Sequence, residues 1–183
     1  MKRLSDLHRL VRLSLLFAGL ILLGACASSS FRAAPAPAVD HAATWVVAPL
    51  INNTATPYAG QRASRLIRAL LAQRATGQVL LPPPEPDAGG LPTDNGEAAE
   101  QAARAFASQQ GARYLVSGSV DEWQYKIGLD GQPAVGFTLT LVDINSGKTL
   151  WTGAASASGG SREGVAVLAQ KTLDRLIARL TGK

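Results

Sequence analysis

The chain has 183 residues, of which 17% are charged, and it carries a formal net charge of +5 and one cysteine. This length accommodates one domain of ordinary size. A single cysteine excludes an intramolecular disulfide and a cysteine-based metal cluster. Residues 1–25 contain four basic side chains and one acid, so the rest of the chain is close to neutral. The composition therefore gives no support for nucleic-acid binding.

Residues 1–25 have the pattern of a bacterial lipoprotein signal peptide, which is cleaved. A basic start precedes the apolar run 13–23, which is too short to cross a bilayer but fits a signal sequence. The run ends in Leu-Gly-Ala before Cys26, which resembles a lipobox. We expect Cys26 to be acylated, palmitate included, and to anchor the protein, while Ala27 favours the outer membrane. The alternative is an ordinary signal peptide with a chance cysteine.

Residues 26–43 are predicted to carry the lipid and to form a flexible tether, because serine, alanine and proline dominate them. His41 lies in this segment, but no histidine follows it, so a metal site is not favoured. Residues 44–183 are expected to form a single periplasmic domain.

This domain is predicted to combine a sheet with three helices that cover one of its faces. Runs rich in β-branched and aromatic residues predict strands, and apolar residues at intervals of three and four predict helices. The predicted elements are strand 45–52, helix 59–76, short strand 79–81, helix 97–110, three strands within 111–158 and a helix from residue 165 onward. This order favours an α/β (α+β) sandwich with a largely antiparallel sheet of about four to five strands.

The predicted domain has few of the residue patterns that a catalytic site requires. No histidine or cysteine occurs after Cys26 and His41, which excludes a serine–histidine or cysteine nucleophile. The glycine pairs lack the lysine and the strand-to-helix context of a nucleotide-binding loop. Asp121 and Glu122 are adjacent, so on a regular strand they point to opposite faces and cannot act as a glycosidase pair. We predict a protein that is not an enzyme and uses no cofactor or metal.

The segment around Asp121 interrupts the alternation of the longest predicted strand. Val116 and Val120 share one parity, whereas Trp123 and Tyr125 share the other. A β-bulge near Asp121 would place all four on one face. The alternative is a sheet that is covered on both faces.

The domain resembles the PelC family, the outer-membrane lipoproteins of Pel exopolysaccharide export. Broader relatives with the same sheet-and-helix plan are the curli secretion lipoprotein and the TolB N-terminal domain. The segments that carry the resemblance are 46–50, 111–114, 118–126, 128–136 and 146–151.

The resemblance implies a homo-oligomeric ring, a dodecamer in the family, at the periplasmic face of the outer membrane. Such a ring would contact outer-membrane lipid and guide the cationic Pel polysaccharide toward an outer-membrane porin during secretion of the biofilm matrix. The acids expected to guide the polymer are Asp121, Glu122, Asp130 and Asp143.

Further surface roles are expected of aromatic and basic residues. Trp151, with Lys148 in the preceding turn, resembles the family's membrane-contacting aromatic, and a core tryptophan is the alternative. The candidate interface residues are Trp123, Tyr125, Arg62, Arg65 and Arg68. For the three arginines, which lie opposite the apolar side of the helix at 59–76, a solvated helix face is the simpler interpretation.

Other protein classes remain open on the sequence alone. A lipoprotein activator of a cell-wall synthase would be monomeric and would bind a penicillin-binding protein. A curli-type secretion pore component is a further alternative, and a purely structural envelope protein would bind no glycan. The oligomeric mass separates the first class from the ring.

Overall fold

The structure is a computed structural model that describes residues 28–83, 96–126 and 131–183. The predicted signal peptide, Cys26, residues 84–95 and Asp130 lie outside these residues. Among the described helices, none combines the length and the apolar character that a membrane span requires.

The described residues form one mixed sheet of seven strands with three helices packed on it. The strands are β1 Ser29–Ala33, β2 Trp45–Val47, β3 Ile51–Asn52, β4 Val79–Leu80, β5 Tyr114–Tyr125, β6 Pro133–Asp143 and β7 Thr149–Ser158. The helices are α1 Ala59–Ala72, α2 Gly96–Gln109 and α3 Val165–Thr181.

The strand order is β1-β7-β6-β5-β2-β4, with β3 also paired to β5. The long pairings among β1, β7, β6 and β5 are antiparallel, and the short pairings of β2, β3 and β4 are parallel. The count of seven exceeds the predicted four to five, because β1 was not foreseen and the first predicted strand is divided in two.

That division follows from Pro49, which has no backbone N–H for a strand ladder. Residues 48–50 separate β2 from β3, although both strands pair with β5. The buried Ser64 hydroxyl of α1 serves the interrupted backbone, since it accepts from the Leu50 N–H at 2.9 Å and donates to the Ala48 carbonyl at 3.0 Å. The prediction of a strand within residues 45–52 was correct, and Pro49 determines where this strand is interrupted.

The helices divide between both faces of the sheet rather than covering one face as predicted. α1 and α3 pack on the main core, where Phe137, Leu139 and Leu173 are fully or almost fully buried. α2 covers part of the other face, where its alanines Ala103 and Ala107 pack against small and branched side chains of β2, β5 and β6. The small side chains of α2 allow this helix to lie close to the sheet.

The N-terminal segment is part of the fold, so the predicted flexible tether is wrong for residues 28–43. β1 pairs with β7 from Ser29 opposite Ala157 to Ala33 opposite Gly153. The chain then stays on the domain, because the Asp40 N–H donates to the Tyr114 hydroxyl at 2.9 Å and the His41 carbonyl accepts from two backbone N–H groups after α1.

Candidate functional site

β5 carries a β-bulge at Asp121, which is one of the two arrangements that the parity of its apolar residues indicated. Val120 lies opposite Phe137 and Glu122 lies opposite Gly136, so Asp121 is the extra residue. The bulge returns Trp123 to the main core, where it packs edge-on against Phe137 with the ring centroids 6.0 Å apart. The bulge thus reconciles the two parities on one face.

The bulge leaves the Asp121 carboxylate exposed and held by neutral donors. Oδ1 accepts from Asn53 Nδ2 at 3.1 Å and from Ser119 Oγ at 2.7 Å, and Oδ2 accepts from Thr138 Oγ1 at 2.8 Å. No described cation forms an ion pair with Asp121 or with Glu122. The carboxylate is therefore fixed in place without neutralisation of its charge.

Glu122 lies next to Asp121 and lines a polar hollow of about 250 Å³. Its Oε1 accepts from Gln124 Nε2 at 3.3 Å. The rest of the lining comprises Lys126, Ala157 and a set of serines from β7 and from β1 with the residue before it, namely Ser28, Ser29, Ser30, Ser156 and Ser158. We call Asp121, Glu122 and this hollow the acidic face. Its carboxylates suit ammonium groups, and its hydroxyls suit the hydroxyls of a sugar.

The hollow contains residues that the sequence did not single out. Ser28–Ser30 lie in the predicted tether, and the serines of β7 lie in a predicted strand for which no site was expected. The run from Ser29 to Ala33 places Phe31 between polar and small residues, and this alternation is the signal that could have indicated a strand. Its pairing with β7 is what brings the two serine sets together.

Asp143 does not join the acidic face. Asp143 ends β6, seven residues after Gly136, which lies opposite Glu122. Asp143 and Gly136 are thus about 24 Å apart along the strand. Oδ1 of Asp143 accepts from the Ser146 N–H at 2.9 Å and from the Ser146 hydroxyl at 3.0 Å, while Oδ2 lies 3.5 Å from Arg113 Nε. Asp143 therefore caps the β6–β7 turn, which corrects its predicted role in guiding a polymer.

These contacts hold the pKa of Asp143 below its ordinary value. The Ser146 N–H contributes most, the Ser146 hydroxyl next and Arg113 less, while partial burial acts in the opposite direction. A lowered folded-state pKa stabilises the fold above the unfolded-state pKa of about 3.9, and this contribution disappears as pH falls through the folded-state value.

Asp143→Asn is accordingly expected to be less stable than the wild type at pH 7 and to lose less stability on acidification. The two urea-unfolding midpoints should converge between pH 5 and the acid limit of folding. Urea titrations at pH 7, 5 and 3 measure this. A difference that stays constant over this range would show that the Asp143 carboxylate is not the group that titrates.

Trp151 is a core residue, so the membrane contact expected of it is not available. Its side chain is 1% exposed, and its ring occupies the space beside Gly153, where a Cβ would overlap it. Its indole N–H donates to the Ala34 carbonyl at 3.1 Å. A side chain that enters the membrane interface must be exposed, and Trp151 instead binds the N-terminal segment to the core.

The other residues predicted to lie at an interface or at the membrane differ in their exposure. Trp123 is 3% exposed, so it cannot serve as an interface residue in this fold. Tyr125 is 51% exposed. On α1, Arg62 and Arg65 are exposed, and Arg68 donates to the Val79 carbonyl at 3.3 Å. Lys148 is exposed in the β6–β7 turn. The described residues contain no cluster of three potential metal-ligating side chains.

Comparison with known proteins adds two kinds of similarity. A family model described as the peptidoglycan-synthase activator LpoB matches residues 38–156. The PelC dodecamer from Paraburkholderia phytofirmans is 29% identical, with 84% of this chain and 98% of that chain covered and a TM-score of 0.71. A single-residue variant of that PelC is also 29% identical, with 82% and 97% covered and a TM-score of 0.69.

A more distant likeness is to the LpoB C-terminal domain from Salmonella enterica, which is 17% identical, with 66% of this chain and 86% of that chain covered and a TM-score of 0.47. No curated protein sequence matches the chain. Because the family model spans well over half of the 183 residues, the chain belongs to the LpoB family, and it shares a mixed α+β fold with PelC.

Proposed function

We propose that this chain is an outer-membrane lipoprotein without enzymatic activity that assembles into a homo-oligomeric ring and guides a cationic exopolysaccharide of the Pel type toward an outer-membrane porin. The acidic face is the observation that carries the proposal, because Asp121 is exposed, charged and held in a fixed position. The similarity to PelC, which is a dodecamer, over 84% of this chain supports the ring.

The chemistry of the acidic face fits guidance better than tight binding. An exposed pair between a carboxylate and an ammonium group contributes about 0.2–1 kcal/mol, so each contact forms and breaks easily. A ring presents the same contact once per protomer, and the repeated contacts raise the overall affinity for a long polymer. The polymer would therefore be retained near the ring and could still move through it.

The charge contrast between Asp121 and Asp143 supports the choice of Asp121. Asp143 is committed to Ser146 and Arg113, whose guanidinium offsets its charge. Asp121 receives hydrogen bonds only from an amide and two hydroxyls. Of these two acids, Asp121 alone offers an uncompensated negative charge to a ligand.

Exchange of both acids is expected to weaken binding of a cationic glycan. With Asp121→Asn and Glu122→Gln together, retention on immobilised chitosan, a partly deacetylated polysaccharide, should fall about fivefold for an isolated protomer, since roughly 1 kcal/mol of pairing is lost. The loss should be larger for an assembled ring. Retention is measured at low salt against a gradient of sodium chloride.

A matched control separates this site from general charge. Glu100→Gln with Asp174→Asn removes the same number of acids from α2 and α3, where they pair with Arg104 and Arg74. This control should keep most of the wild-type retention. Equal retention of the acidic-face variant and the wild type would overturn the proposed role of Asp121 and Glu122.

The oligomeric mass tests the ring itself. Light scattering of the chain from residue 28 onward, and of the lipid-anchored protein in detergent, should give a mass many times that of one protomer. A monomer in both preparations would contradict a ring.

The second candidate function is activation of a peptidoglycan synthase, which the family model favours. It predicts that a monomer stimulates glycan-strand formation by a penicillin-binding synthase. It also predicts that the acidic-face variant keeps this stimulation, because activation of a synthase does not require the acidic face to bind a cation. Stimulation by a monomer would favour this candidate over the ring.

A further inference from the structure

The N-terminus of the described chain is fixed at one end of the sheet. The Ser28 carbonyl accepts from the Ser158 N–H at 2.8 Å, and Lys126 Nζ donates to the Ser158 hydroxyl at 2.9 Å. At the same end, the Gly159 N–H donates to the Pro133 carbonyl at 2.9 Å. We call this region, where β5 ends and α3 begins, the proximal end.

The predicted lipid attachment point cannot be far from the proximal end. Cys26 precedes Ser28 by two residues, and an extended chain spans at most about 3.6 Å per residue. The two Cα atoms are thus within about 7 Å of each other. β1 cannot easily peel away to lengthen this reach, because it is paired along its whole length and Phe31 packs under the Arg175 guanidinium at 5.2 Å.

The proximal end exposes side chains that suit the bilayer interface. Tyr125 is 51% exposed, and its hydroxyl accepts from the Val165 N–H at the start of α3. Val167, on the first turn of α3, is 50% exposed. Tyrosine suits a headgroup region because its ring is apolar and its hydroxyl is polar.

The charges of the proximal end have both signs. Lys126 and Arg162 are exposed, and long basic side chains can reach lipid phosphates from such positions. Glu163 pairs with Lys171 at 2.7 Å, and Glu122 lies in the polar hollow. Membrane contact at the proximal end is therefore inferred from the attachment of the chain and from the exposed apolar side chains, and not from net charge.

We propose that the proximal end faces the bilayer, with Tyr125 and Val167 in the headgroup region of the outer membrane's inner leaflet, and that the β6–β7 turn points into the periplasm. The inference rests on the lipid anchoring of Cys26 in the proposed function. β7 has 10 residues, so the turn lies about 33 Å from the proximal end. Lys148 is then remote from the membrane, whereas the acidic face lies close to it, where a polymer would pass to a porin.

Depth-dependent fluorescence quenching tests this orientation. The acylated Cys26 has no free thiol, so a cysteine introduced by Gly160→Cys at the proximal end, or by Asn145→Cys in the β6–β7 turn, is the only site for a dye. Each lipidated protein is reconstituted in vesicles of phosphatidylethanolamine and phosphatidylglycerol that contain a headgroup-labelled nitroxide lipid. We expect quenching at position 160 that is at least about threefold stronger than at position 145.

The outcomes separate the orientation from the anchoring. Mass analysis of the N-terminal peptide first establishes acylation, and its absence would contradict the proposed anchoring and the orientation with it. An acylated protein that is quenched more strongly at position 145 than at position 160, or equally at both, overturns the orientation alone.

A pair of surface variants tests the side chains. Tyr125→Ser with Val167→Ser should lower quenching at position 160 about twofold, because the end loses its apolar contact with the interface. Tyr58→Ser removes an equally exposed tyrosine elsewhere and should leave quenching unchanged. Equal quenching in both variants would exclude Tyr125 and Val167 as membrane contacts.

Discussion

Trp151→Ala is expected to lower the free energy of unfolding by about 3–5 kcal/mol, the range found when a large buried aromatic side chain is truncated. Trp151 is 1% exposed and belongs to the main core. The surrounding residues cannot fill the space, because Gly153 has no side chain and the neighbouring Ala33 is small. Urea unfolding of the two proteins, followed by circular dichroism, measures the difference.

The same substitution should release the N-terminal segment. Trp151 donates to the Ala34 carbonyl, and the Ala34 N–H donates to the Thr152 carbonyl directly after β1. Without the indole, β1 keeps its edge pairing with β7 and the contact of Phe31 with Arg175, but it loses its hydrogen bond to the core tryptophan. Hydrogen exchange at the amides of residues 30–34 should therefore accelerate by more than the change in global stability explains.

Trp151→Phe is the matched control, because it keeps an aromatic ring and removes the N–H donor. Its loss should be smaller, about 1–2 kcal/mol for the hydrogen bond and part of the ring. A membrane-contacting tryptophan would behave differently, since Trp151→Ala would then leave the unfolding midpoint unchanged and weaken only membrane binding. That result would refute the core assignment.

Local patterns predicted those elements whose stability depends on one continuous stretch of chain. α3 was foreseen with its buried side, because Ala169, Leu173, Leu176 and Leu180 recur at helical spacing and are all fully buried. The alternation around Asp121 left two arrangements open, a bulge or a sheet covered on both faces. The structure has the bulge, which places Val120 and Trp123 in the same core.

Elements that depend on distant partners could not be predicted in this way. β1 is short and rich in serine and alanine, so its composition resembles a tether, and only pairing with β7 and contact with Trp151 make it a strand. The direction of Trp151 depends on a second register shift in β7, between the partners of Leu141 and Val142. Nothing local in the sequence marks that shift.

The acids of the candidate site also differ in whether their roles can be read from the local sequence. Asp121 and Asp143 both lie in the three-strand region, and their charges alone do not distinguish them. Asp143 stands at the first position of the turn Asp143–Ser146, where aspartate is favoured, and this signal could have excluded it from the acidic face. Of the donors to Asp121, Ser119 is two residues away on β5, but Asn53 follows β3 and Thr138 lies on β6, so their convergence appears only in the folded chain.

Gly118→Ala is expected to destabilise the protein by about 2–6 kcal/mol and to disturb the acidic face as well. Gly118 has φ of +147°, a region that is almost closed to other residues and adds roughly 1–3 kcal/mol of strain. A Cβ there would also overlap the carbonyl oxygen of Thr138 on β6, and such overpacking adds about 1–3 kcal/mol. Urea unfolding measures the combined loss.

Gly111→Ala is the control that isolates the clash from the backbone strain. Gly111 also has a positive φ, +62°, but no atom lies within 4 Å of the position of its Cβ. Its loss should be about 1–2 kcal/mol, the strain of a left-handed residue alone. Equal losses at both glycines would show that β5 and β6 separate readily at this point.

The consequence for the acidic face follows from Thr138, whose backbone meets the clash and whose hydroxyl donates to Asp121. A displaced Thr138 leaves Asp121 with its charge but without one of the donors that fix its position. Gly118→Ala should therefore lower retention on chitosan under conditions where the protein is still folded, while Gly111→Ala should not. Unchanged retention in a folded Gly118→Ala protein would mean that charge alone, and not the fixed carboxylate geometry, binds the polymer.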